Sequence, residues 1–124
     1  LHPRVRRQRQ MCIRDRYIPC EISTICMGLC ASMAAVILAA GTKGKRCALK
    51  HAEVMIHQPL GGMQGQAKDM EIAMKHMSRT KDTIYEILSN TTSQPKEKIQ
   101  IDCDRDYFMN VHEAKVYGII DHII

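Results

Sequence analysis

The stretch Ile22-Ser23-Thr24-Ile25-Cys26-Met27-Gly28-Leu29-Cys30-Ala31-Ser32-Met33-Ala34-Ala35-Val36-Ile37-Leu38-Ala39-Ala40-Gly41 decides the fold. Ile22 to Cys26 is rich in β-branched side chains and predicts a buried strand. Small residues from Met27 to Ala31 break that pattern. Met33 to Ala40 is then a continuous apolar run of good helix formers, and Gly41 stands just past it, where glycine commonly ends a helix. The whole apolar run Ile25–Ala40 is too short to span a bilayer as a helix, so it reads as a buried core segment.

Downstream, Thr42-Lys43-Gly44-Lys45-Arg46 reads as a basic turn, with Cys47–Leu49 and Val54–Ile56 as short strands joined by a polar bend. Gln58 to Gln66 holds three glycines and Pro59, so it cannot be an ordinary helix. From Ala67 to Asn90, Met70, Met74, Met77, Ile84, Ile87 and Leu88 recur at helical spacings with charges between them, predicting a long helix. A short helix follows Gln94-Pro95. Another spans Val111 to Tyr117 and stops at Gly118, and Ile119 to Ile124 closes as a strand. Strands alternating with helices predict an α/β layered fold, and 124 residues allow one domain at most.

Aromatic residues are only 4% of the chain, so Met and the aliphatics must do most of the packing. The net charge of +5 would ordinarily point to nucleic acid or an anionic membrane. It lies entirely within residues 1–16, where Arg4, Arg6, Arg7, Arg9, Arg14 and Arg16 face Asp15 alone; residues 17–124 hold 12 basic and 12 acidic side chains. The body is balanced, so no nucleic-acid partner is expected of it. Arg6 to Asp15 fits the codons CGT CGG CAG CGT CAG ATG TGT ATA AGA GAC, which spell a common sequencing-library adaptor in frame. Residues 1–16 are therefore expected to be non-native and disordered, with the alternative a disordered basic arm. The basic stretch, the apolar run and Ala39-Ala40-Gly41 together imitate a signal peptide. Glu21, Ser23 and Thr24 interrupt the imitation, and neither a targeting signal nor a membrane partner is expected.

Six cysteines raise disulfides and metal. Cys12 falls in the adaptor-like stretch, which leaves an odd five. Cys20, Cys26 and Cys30 lack the paired C-x2-C spacing of a zinc site. In apolar surroundings Cys26 and Cys30 read as small hydrophobes, so no metal or cofactor is expected and a reducing compartment follows.

Three positions carry candidate chemistry. Ser32 lies between a small-residue turn and an apolar helix, where free N–H groups stabilise negative charge and small neighbours admit a substrate backbone. Taken alone it reads better as an N-cap than as a nucleophile. His57 ends a strand and precedes a turn, a place from which an imidazole reaches a cleft as a general base. Alone, a half-buried structural role fits it better. Asp102-Cys103-Asp104-Arg105-Asp106-Tyr107-Phe108 clusters three carboxylates around one Arg: one orients an imidazole, or the cluster is a solvated loop capping the next helix, while adjacent carboxylates without further ligands are weak evidence for a metal.

Jointly these segments resemble the ClpP family, the proteolytic subunits of ATP-dependent Clp proteases. Gly28-Leu29-Cys30-Ala31-Ser32-Met33-Ala34, Met55-Ile56-His57-Gln58-Pro59-Leu60-Gly61-Gly62, Gly65-Gln66-Ala67-x-Asp69 and Asp104-Arg105-Asp106-x-Phe108-Met109 are similar to its successive signatures, in order and at fitting intervals. The resemblance runs from about Tyr17 to Ile124. It implies a ClpP/crotonase-like α/β fold of layered sheet units with flanking helices and a protruding handle helix, incomplete at the N-terminus.

Residue by residue it implies Ser32 as nucleophile, His57 as its general base and Asp106 as the carboxylate that holds the tautomer. The Met33 N–H becomes an oxyanion donor, Gly61 and Gly62 a strand that pairs with substrate, and Arg105 an inter-ring contact. The helix from Ala67 to Asn90 resembles the handle that docks two heptameric rings. The implied partners are unfolded polypeptides, further copies of the chain and an AAA+ Clp unfoldase, in the cytoplasm. Ala34 departs from the usual Gly, and Cys30 from the usual Ala. The family's upstream Gly-Gly segment, source of another oxyanion donor, is expected to be missing. Losing one donor costs roughly a hundred- to a thousandfold in rate, so the chain by itself is expected to be weakly active or inactive. Two other readings remain beside the endopeptidase: a non-catalytic ring-forming subunit, and a crotonase-like acyl-CoA enzyme sharing the fold.

Overall fold

The computed structural model describes residues 19–58 and 65–124. The adaptor-like residues 1–16 and the candidate substrate strand at Gly61 and Gly62 lie outside the described residues. In chain order the elements are β1 (Thr24–Cys26), β2 (Leu29–Ala31), α1 (Met33–Ala39), β3 (Arg46–Ala48), β4 (Glu53–Ile56), α2 (Ala67–Thr92), α3 (Lys96–Asp102), β5 (Tyr107–Asn110), α4 (Val111–Tyr117) and β6 (His122–Ile123). This is the mixed α/β architecture that the alternation of strand and helix patterns predicts.

Among the described residues the strands form two three-stranded sheets. In the first, ordered β1-β3-β6, both pairs are parallel; in the second, ordered β2-β4-β5, β2 runs parallel to β4 and β5 antiparallel to it. The chain crosses from the first sheet to the second twice, at Met27-Gly28 and again between β3 and β4. Backbone pairing continues through the crossing: Leu49 N–H donates to the Cys26 carbonyl and Glu53 N–H to the Gly28 carbonyl, each at 2.9 Å. The Met27–Ala31 segment, read from sequence as a break, therefore contains a strand. Strand β5 was likewise hidden in the acidic cluster. Both are three or four residues long, and such strands are defined by what they pair with more than by their own composition. At the C-terminus only His122–Ile123 is strand, while Ile119 and Ile120 are fully buried core residues instead.

Helix α1 buries Ala35, Val36, Leu38 and Ala39 between the sheets and α2, as an all-round apolar helix must. It ends where Gly41 lets β1 come close, since a Cβ there would sit 2.5 Å from Thr24 Oγ1. Arg46 corrects the reading of a basic turn. It opens β3, is 3% exposed, and its Nε and Nη2 each donate to Asp121 at 2.8 Å. Its Nη1 donates to the carbonyls of Ala39 (3.1 Å) and Thr91 (2.8 Å), at the C-terminal ends of α1 and α2 where a cation is favoured.

Helix α2 has 26 residues and so extends about 39 Å. Its C-terminal part buries Tyr85, Leu88 and Thr92. Its N-terminal part does not reach the core, leaving Met70, Ile72 and Met74 exposed.

Candidate active site

Strand register explains how side chains distant in sequence meet. Ala31 pairs with Met55, and the Ser32 N–H donates to the Met55 carbonyl at 3.0 Å, so Ser32 emerges at the C-terminal end of β2 beside the end of β4. Ile56 pairs with Tyr107 across the antiparallel β4–β5 ladder, which carries His57 and Asp106 onward as the next opposed positions. Ser32, His57 and Asp106 thus lie at one end of one sheet. A separation of 25 residues between Ser32 and His57 is closed by a parallel pairing, and the longer one to Asp106 by an antiparallel pairing.

Ser32 occupies φ 56°, ψ −119°, a left-handed conformation rare for a residue with a Cβ. Holding it there costs roughly 1–3 kcal/mol, which the ladder on one side and α1 on the other must supply. The Ser32 carbonyl accepts from the N–H groups of Ala35 (3.1 Å) and Val36 (3.3 Å), starting the helix. Its hydroxyl makes no cap bond. The N-cap reading of the side chain therefore gives way to another: Ser32 Oγ is hydrogen-bonded to His57 Nε2. The N–H groups of Met33 and Ala34 precede the first intrahelical bond, which Ala35 N–H makes to the Ser32 carbonyl.

The His57 side chain is 11% exposed, and its Nδ1 is buried without a hydrogen-bond partner among the described residues. Asp106 Oδ1 lies 3.7 Å from that nitrogen, beyond the range of an N–H···O bond. The relay is thus made between Ser32 and His57 and open between His57 and Asp106. Less than about 1 Å of movement would close it. Asp106 is 61% exposed, at the end of a turn that follows α3, and Arg105 is exposed on the same turn.

Beside Ser32 opens a cavity of about 340 Å³ lined by Ser32, Met33, Val36, Ile56, His57, Ile84 and Leu88. Among the described residues its wall is apolar except for the serine and histidine. From sequence, Ile84 and Leu88 read only as the core face of a helix; their spacing of four puts both on one side of α2, and that side covers the serine. A second hollow of about 400 Å³ is lined by His57, Gln58, Asp104, Arg105 and Asp106. Sequence reasoning passed over Gln58, whose backbone and side chain both bond to this turn. Nothing in a lone Gln before Pro59 marks it.

Burial, and then its neighbour Cys26, pushes the Cys30 thiol up to about 12. Burial pushes Cys103 up to about 11, with Asp102 adding to it. Both stay protonated near neutral pH, so neither thiol is an activated nucleophile. Cys26 is fully buried, with its thiol directed at the carbonyls of Gly28 and Glu53, the core role its surroundings predict.

A family model described as Clp protease matches residues 9–124, and the chain belongs to that family. Over 109 residues, 88% of the chain, it is 56% identical to the ATP-dependent Clp protease proteolytic subunit of Porphyromonas gingivalis. That match takes in 49% of the Porphyromonas protein, so the chain spans about half the length of this curated relative.

Proposed function

We propose that the full-length protein carrying this chain is a serine endopeptidase, the proteolytic subunit of an ATP-dependent Clp protease. The observation that supports it most is the hydroxyl of a conformationally strained Ser32, hydrogen-bonded to His57 at the mouth of an apolar cavity. An imidazole with Nδ1–H turned toward Asp106 leaves Nε2 free to accept the serine proton. Ser32 Oγ attacks the scissile carbonyl while its proton passes to His57. The C–N bond then breaks, and His57 returns the proton to the leaving amine. Water, activated by the same imidazole, hydrolyses the acyl ester and frees Ser32. The Met33 N–H stabilises the oxyanion, and the cavity takes an apolar side chain of the substrate.

The family membership supports the rest of this reading. Gly61 and Gly62 pair with the backbone of an extended, unfolded polypeptide, which gives broad sequence tolerance. Copies of the chain form two stacked heptameric rings, with exposed α2 side chains and Arg105 between rings and an AAA+ Clp unfoldase feeding substrate. Thiols used as small buried hydrophobes suit the cytoplasm. Apart from the family match, which itself begins at residue 9, the fit of Arg6 to Asp15 to adaptor codons supports residues 1–16, which hold all of the net charge, as a translated adaptor. The chain alone is weakly active or inactive, which the 3.7 Å gap between imidazole and carboxylate supports. The retained serine–histidine pair favours a cutting subunit over a purely structural one, and over an acyl-CoA enzyme that does not need such a pair.

The test is hydrolysis of a short fluorogenic peptide by the assembled full-length protein. Ser32→Ala should reduce it to background. Hydrolysis that survives Ser32→Ala would overturn the assignment.

A further inference from the structure

Gln58 follows His57 directly and makes three hydrogen bonds among the described residues. Its backbone N–H donates to the Cys103 carbonyl at 2.7 Å, its Nε2 donates to the Asp104 carbonyl at 3.2 Å, and its Oε1 accepts from Lys81 Nζ at 3.0 Å. The first two hold the turn that leads into Asp106. The third fixes the amide: an ammonium only donates, so the oxygen must face Lys81 and the NH2 must face Asp104. We propose that Gln58 is the positioning residue for Asp106, and that Lys81 acts through it, so that helix α2 sets the distance between carboxylate and imidazole. This rests on the peptidase reading above.

Besides the β5 ladder that begins at Tyr107, the turn has two anchors. On one side it continues α3, with Cys103 N–H donating to the Ile99 carbonyl at 2.9 Å and Asp104 N–H to the Ile101 carbonyl at 3.3 Å. On the other side stands Gln58. Asp106, at 61% exposure, has little packing of its own, so its place is inherited from the turn before it and the start of β5 after it. Lys81 lies on the same side of α2 as Ile84 and Leu88, which line the cavity beside Ser32. One helix face therefore shapes the substrate cavity and, through the amide, the approach of the carboxylate. A shift of α2 would change both together.

The experiment is a mutant cycle on the assembled full-length protein, read as kcat and KM on a fluorogenic peptide and as the rate of fluorophosphonate labelling. Gln58→Ala should lower kcat about tenfold with KM changed less than about twofold, the signature of lost orientation rather than lost binding. Gln58→Glu keeps the Lys81 contact but cannot donate to Asp104, and should be as slow as Gln58→Ala. Lys81→Met retains the apolar stem and should cost about threefold. It should cost nothing further in a Gln58→Ala background. In an Asp106→Asn background Gln58→Ala should also cost nothing more, because its effect runs through that carboxylate. A merely structural role would multiply with Asp106→Asn instead. Such multiplication, or a wild-type kcat in Gln58→Ala, would overturn the proposal. Should Gln58→Ala fail to assemble, Lys81→Met combined with Asp106→Asn carries the same comparison. A wild-type protein with no Ser32-dependent turnover would bring down the peptidase reading, and this inference with it.

Discussion

Ser32 meets two demands at once: it starts α1 and keeps its hydroxyl out of the cap position. The left-handed backbone allows both, and the strain it carries should be measurable apart from catalysis. Ser32→Ala and Ser32→Gly both remove the nucleophile, but only the glycine relieves the Cβ at φ 56°. That relief outweighs the flexibility glycine adds to the unfolded chain, so Ser32→Gly should exceed Ser32→Ala in stability by about 1 kcal/mol in chemical denaturation. Alanine proving the more stable would mean the conformation is not strained. This dihedral is not legible in the sequence, where Ser before an apolar helix reads as an ordinary cap. What the sequence does carry is the joint order and spacing of the segments around Ser32, His57 and Asp106. Gln58 escaped notice because its partners are the backbone carbonyls of Cys103 and Asp104, which have no letter in a sequence.

Among the elements, the long helix and the helix stopped by Gly118 were legible, since both rest on local signals: periodicity over many residues, and a glycine at φ +102°. Gly118 also lets the end of α4 approach the end of α2. A Cβ there would lie 2.4 Å from the Thr92 carbonyl oxygen, so Gly118→Ala should cost at least about 2 kcal/mol in thermal or denaturant unfolding. Strands β2 and β5 were not legible, because pairing with β4 defines them. Nor was the buried Arg46, whose partner Asp121 is 75 positions away. The paired guanidinium, ahead of the backbone N–H groups of Gly44 and Arg46, holds the Asp121 carboxyl well below its usual range. A carboxyl whose folded pKa is depressed stabilises the fold fully above its unfolded value of about 4, and loses that contribution as pH falls below it. Asp121→Asn should therefore cost about 3 kcal/mol at neutral pH by leaving a buried guanidinium unpaired. The gap to wild type should narrow as the pH is lowered below about 4. A gap independent of pH would show that the carboxylate charge does not matter there.

At the scale of the whole molecule, the N-terminal part of α2 is long, apolar in places and without a core to cover. Met70 and Met74 follow the spacing of a buried face and are nevertheless exposed. In the function proposed above, that surface is the contact between rings. Ile72, 67% exposed, is the sharpest probe: Ile72→Asp should split the assembled full-length protein into single rings in analytical ultracentrifugation with the subunit fold unchanged by circular dichroism. Intact double rings in that variant would place the contact elsewhere. The most direct measurement of all concerns the convergence of three side chains at the end of the β2-β4-β5 sheet. The full-length protein is treated with a fluorophosphonate and the modified residue located by peptide mass spectrometry. The account predicts a single adduct on Ser32 that disappears in His57→Ala. An unmodified Ser32, or labelling that persists without His57, would contradict it.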